Sequence, residues 1–110
     1  MESILTSIKK LLGPSAEYEH FDPDIIMHIN SALMVLTQIG VGPAEGFVIE
    51  DETSLWTDFL PSGKNLEAVK TYIYLKVKIV FDPPLNAAVL ESYKQQIVEY
   101  ESRLNSIADY

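Results

Sequence analysis

The sequence contains no cysteine, which excludes disulfide scaffolds and thiolate chemistry. Basic residues are scarce: 8 Lys and Arg stand against 16 Asp and Glu, for a net charge of −8. The few cations are scattered, as in Lys9-Lys10, Lys76, Lys78 and Arg103. The chain therefore lacks the clustered positive charge through which tight duplex binding displaces counterions. No apolar run approaches the ~20 residues that span a bilayer, so no membrane partner is expected. The opening MESILTSIKK has neither a long apolar region nor a small-residue cleavage site and reads as an amphipathic helix rather than a signal peptide. These absences point to a cytosolic origin.

Apolar residues make up 47% of the 110 residues, enough for a packed core and too few residues for two, so residues 1–110 are expected to form one domain. The richest stretch is Asn65 to Pro84, NLEAVKTYIYLKVKIVFDPP. At about 100° per residue, Leu66, Val69, Ile73, Tyr74, Val77, Val80 and Phe81 form one broad apolar face. Ala68, Tyr72, Leu75 and Ile79 gather on the opposite side. A helix apolar on two sides needs two neighbours, and the second is expected from another copy of the chain. A strand reading competes, because residues 72–79 also alternate and are rich in β-branched and aromatic types. The uninterrupted length, Ser62 or Asn65 as a cap, Glu67 in the first turn and the stop at Asp82-Pro83-Pro84 favour the helix.

Three other helices flank it. The first spans about Ser3 to Leu12, with Ile4, Leu5, Ile8, Leu11 and Leu12 on one face, Lys9 and Lys10 near the negative end of its dipole, and Gly13-Pro14 as its stop. For the second, Asp22 is expected to cap, Pro23 to fill the first position and Phe21 to staple onto Ile26. That helix carries a core stripe of Ile25, Ile29, Ala32, Leu33, Leu36 and Ile39 to Gly40. Residues 43–63 read as irregular, with Phe47-Val48-Ile49 as a short strand and Thr53 or Ser54 capping a short helix that holds Trp56 and Phe59. The last helix starts near Asn86 and runs towards Ala108. It carries a narrow seam of Leu90, Tyr93, Ile97, Tyr100, Leu104 and Ile107 and an i,i+4 pair, Glu99 with Arg103. The fold class is mainly α: a four-helix domain with a short irregular or β excursion between helices two and three.

Catalytic and metal motifs are not found. His20 and His28 belong to no HExxH or i,i+4 pair and read as loop or helix-surface residues. The acidic turn Glu50-Asp51-Glu52 lacks the glycine and ligand order of a calcium loop. Pro61-Ser62-Gly63-Lys64-Asn65 lacks the first glycine and the magnesium-binding hydroxyl of a phosphate loop. No GxSxG occurs, and no enzyme activity or cofactor is expected. Two features favour binding instead. Met27 and Met34 are seven residues apart on the far side of helix two and form an adaptable patch, unless helix one or the 43–63 loop covers them. Trp56 with Phe59 is either a satellite core cluster or an anchor for a neighbour. The remaining candidate contacts are Glu50, Asp51 and Glu52 in the acidic turn, and Tyr100 and Arg103 on the last helix.

The succession of DIIMHINSALMVLTQIGVGP, a loop holding Trp56, AVKTYIYLKVKIVFDPP and a polar last helix resembles the small head–tail connector (adaptor) proteins of long-tailed bacteriophages and prophages. The similarity covers nearly the whole chain, and Asp82-Pro83-Pro84 after an aromatic-rich helix is its most specific part. The resemblance implies a helical, non-catalytic protein of the virion, assembled in the host cytoplasm. It implies a cyclic ring of about twelve copies under the portal protein, which carries the DNA channel towards the head-closure (stopper) and tail proteins. DNA would pass through without tight binding. Two alternatives stand beside it: an accessory DNA-packaging factor, and a small helical regulator that dimerises through the seam of the last helix.

Overall fold

A computed structural model describes residues 2–108. Five helices are present among them: α1 (Ile4–Leu12), α2 (Asp22–Gln38), α3 (Trp56–Phe59), α4 (Leu66–Phe81) and α5 (Ala87–Ala108). Four are long and α3 is a single turn, in accord with the helical class read from the sequence. No named strand forms among the described residues. Phe47-Val48-Ile49 is irregular backbone, and the sole β-type pairing there is one isolated antiparallel bridge between Ser3 and Leu55.

Helix α4 is the centre of the molecule. Val69, Ile73 and Val77 on one side, and Tyr72 and Leu75 on the other, are all buried. The first side packs towards α2, where the Phe81 ring meets Phe21 edge-on at 5.5 Å. The second packs on α5, where the Tyr72 hydroxyl donates to Glu101 at 2.7 Å. The expected second neighbour of this helix is therefore supplied from within the chain. Val80 departs from the sequence reading and is exposed, as is Leu11 on α1.

The Tyr72 contact has a consequence at high pH. Burial, reinforced by the Glu101 carboxylate, pushes the Tyr72 hydroxyl well above its ordinary value of 10.0. In the unfolded chain it ionises near that value, whereas the folded protein keeps it protonated. The stability this provides is complete below about pH 10 and is lost as pH rises beyond it. Tyr72→Phe is expected to flatten the alkaline arm of a stability-versus-pH curve measured by urea unfolding. An unchanged alkaline slope would show that Tyr72 does not carry it.

The helix ends follow local chemistry. Ser3 caps α1 by accepting from the Thr6 N–H at 3.2 Å, and Gly13 (φ 89°) turns the chain away. At the end of α2, the Gly40 N–H reaches the Thr37 carbonyl and the Val41 N–H reaches that of Leu36, a Schellman turn with Gly40 at φ 95°. Asn86 caps α5, its side-chain oxygen accepting from the Ala88 and Val89 N–H groups.

The start of α2 differs from expectation. A short 3-10 turn, Glu19–Phe21, runs straight into it, so the backbone is already helical at Phe21 and Asp22. A capping side chain needs an extended backbone at its own position. Asp22 instead turns to α1, where Lys9 Nζ lies 2.7 Å from its carboxylate in an ion pair. Asn65 stands before α4 in a left-handed conformation (φ 63°) without a side-chain cap. Leu55 rather than Thr53 or Ser54 precedes α3, and its N–H donates to the Asp58 carboxylate at 2.8 Å.

Candidate functional site

The 43–63 segment has little secondary structure, yet it is fastened at two places. The Asn30 side chain on α2 behaves as a strand partner. Its Nδ2 donates to the Ile49 carbonyl at 2.9 Å, and its Oδ1 accepts from the Ile49 N–H at 2.8 Å. Both backbone groups of an otherwise unpaired residue are thereby satisfied. The second fastening is at α1. The Ile4 N–H donates to Ser54, and the Trp56 N–H donates to Glu2. Trp56 Nε1–H donates to Ser7 Oγ at 3.0 Å, and that hydroxyl donates to the Ser3 carbonyl.

Between these fastenings Glu50, Asp51 and Glu52 are exposed. Asp51 accepts from both the N–H and the hydroxyl of Thr53, which holds its carboxyl below the usual carboxylate range. Glu52 lines a polar recess with Lys9, Glu19 and Asp22. The acidic turn is thus braced at its centre by the Asp51–Thr53 contacts.

Trp56 and Phe59 are corrected from candidate contacts to core. Trp56 is 3% exposed and Phe59 fully buried. Lys70 Nζ lies 5.8 Å from the indole ring and ion-pairs with Glu2 at 2.6 Å. Phe59 sits on Gly42, where the chain needs φ 84° and no side chain. Neither ring offers a surface to a neighbour while the fold is intact.

Met27 and Met34 fall on the other reading. Neither α1 nor the 43–63 segment covers them, and they are 56% and 57% exposed. On α5, Ile97 and Leu104 are buried, and Tyr93 and Tyr100 pack half-buried against the core. The seam expected for dimerisation is therefore spent within the chain. Tyr100 and Arg103 line a small polar dent with Gln96 and Glu99. Among the described residues no ion pair closes between Glu99 and Arg103, as is common for long exposed side chains in water; the α5 pair that approaches is Glu91 with Lys94, at 3.9 Å.

Sequence reasoning missed the Asn30 clamp and the surface between α4 and α5. Leu85 in that connection is fully exposed, and Val80 and Val89 are exposed beside it in sequence. Among the described residues no group of three or more His, Asp or Glu is placed to hold a metal ion. None of the described helices is long and apolar enough to cross a membrane.

The phage connector protein family matches residues 4–110. The chain belongs to that family. It is a phage connector, a structural component of the virion that works in contact with other head and tail proteins. No match was found among curated proteins or among solved structures.

Proposed function

We propose that this connector is the ring-forming subunit that docks under the portal and extends the DNA channel to the head-closure protein and tail, in a ring of about twelve copies. The observation that carries this reading is a self-sufficient core with apolar side chains left over outside it. α4 finds both of its neighbours within the chain, whereas Met27, Met34, Val80 and Leu85 remain exposed. Such a domain is ready to be a monomer that later meets others. The regulator alternative loses its dimer seam to the core, and nothing favours an accessory packaging role over a connector. Purified protein mixed with the portal of the same phage is expected to add a ring of density beneath it in electron micrographs. A stable two-fold dimer at micromolar concentration that ignores the portal would overturn the proposal.

The charge balance fits a conduit. Tight phosphate contacts would hold a passing genome, each neutralised phosphate steepening the log–log salt slope by about 0.9. No duplex binding is expected at about 0.1 M salt, where the screening length is about 10 Å. The turn at Glu50, Asp51 and Glu52 is proposed to face the channel or the downstream partner. Replacing all three by Lys touches no buried group and is expected to leave the melting curve in place while lowering the yield of infectious particles. Complementation of a connector-deficient phage measures this, and full infectivity from the folded variant removes the turn from the conduit.

A further inference from the structure

The acidic surface has two breaks. Residues 25–44 contain no Asp, Glu, Lys or Arg, and neither do residues 83–90; these are the two longest uncharged stretches of the chain. Both reach the surface. On α2 the outward stripe is Met27, Ser31, Met34 and Gln38, all exposed. Their spacing of four, three and four residues keeps them in a line along the helix. In the connection from α4 to α5, Pro83, Leu85, Asn86, Ala87, Ala88 and Val89 are exposed. Two prolines restrict the backbone just before Leu85, so this side chain is presented as a projecting knob. Methionine, unbranched and polarizable, suits a surface that must mould itself to such a knob.

The two surfaces are separate. Phe81, at the root of the knob, packs on Phe21 at the start of α2. Phe21 lies roughly 120–140° around the helix axis from Met27 and Met34, at about 100° per residue. α4 is held between α2 and α5, and the knob belongs to the α4–α5 connection whereas the stripe belongs to α2, so the two are distinct patches of the surface. A contact between them is heterologous: it joins one copy to the next and leaves a fresh knob and a fresh stripe at the ends. Charge selects the occupant. Two molecules of net charge −8 repel wherever their acidic surfaces meet, and these two surfaces carry no charged side chain of their own, with exposed Asp24 and Glu91 only at their margins.

We infer that the 83–90 knob of one copy seats on the Met27–Ser31–Met34–Gln38 stripe of a second copy, and that this head-to-tail pairing is the self-contact of the assembly. The inference rests on the ring reading above and adds the surfaces that close it.

The natural absence of cysteine makes the test direct. Met34→Cys, Leu85→Cys and the double variant change exposed positions only, and their folding is checked by melting. Each is assembled on the portal, inspected by electron microscopy and treated with a short bis-maleimide. The double variant is expected to give a ladder of linked chains longer than two. A mixture of the two single variants is expected to stop at linked pairs, and each single variant alone to stay one chain long. Linked dimers from either single variant would mean a two-fold contact and overturn the inference. Rings without a ladder would overturn it while leaving the ring reading intact, as would cross-linking of the Met34→Cys variant to the portal alone. Absence of rings on the portal would remove both.

Discussion

Ile73→Asp is expected to abolish cooperative folding, and Val77→Asp to do the same. Both side chains are fully buried on the face of α4 that packs towards α2. An unpaired carboxylate there costs several kcal/mol, against a total stability of roughly 5–15 kcal/mol for a domain of this kind. Lys9 and Lys70 are already engaged with Asp22 and Glu2, which limits local rescue of the new charge. Circular dichroism melting checks the outcome. A variant with the parent's transition would mean that α4 is not the central helix, and the architecture would have to be redrawn around it.

Gly42→Ala is the second large effect. The backbone at Gly42 has φ 84°, and an added Cβ would overlap the Phe59 ring at Cε1. Ordinary carbon contacts begin near ~3.5 Å, and Phe59 is fully buried, so its ring has little room to retreat. Left-handed strain together with overpacking puts the cost at about 2–4 kcal/mol. The two causes separate in a double variant. Phe59→Leu alone leaves a void and destabilises, but combined with Gly42→Ala it should destabilise less than the sum. Strict additivity by urea unfolding would show that backbone strain, not the ring, sets the cost.

The parts of the fold that were legible in the sequence are those governed by periodicity and by strong local stops. The two-sided apolar pattern of residues 66–81, the break at Asp82-Pro83-Pro84 and the start of the last helix near Asn86 each rest on a few neighbouring residues, and each reappears in space. What was not legible depends on residues far apart in sequence. Phe47-Val48-Ile49 has the composition of a strand, but its partner is a single amide 19 residues earlier, at Asn30, and one side chain cannot extend a ladder. Asp22 has the composition of a cap, but Lys9 on another helix competes for its carboxylate and the preceding turn has already made the backbone helical. Exposure was the hardest property to read. Trp56 and Met34 are both large and apolar; one went inward, where Ser7 accepts its N–H, and the other stayed outside, where nothing among the described residues covers it.

The Asn30 clamp also bears on how the protein ages. Its grip depends on one nitrogen, the Nδ2 that donates to the Ile49 carbonyl. Hydrolysis of that amide to a carboxylate would set an oxygen against an oxygen at the same spot while adding a negative charge to the longest uncharged stretch of the chain. Folded α2 slows this damage, because helical geometry holds the Ser31 nitrogen away from the attack on the side-chain carbonyl that begins it. A particle stored for long periods would therefore keep its acidic turn in place for as long as this helix stays wound, and the loss of a single ammonia would mark the copies that had unwound.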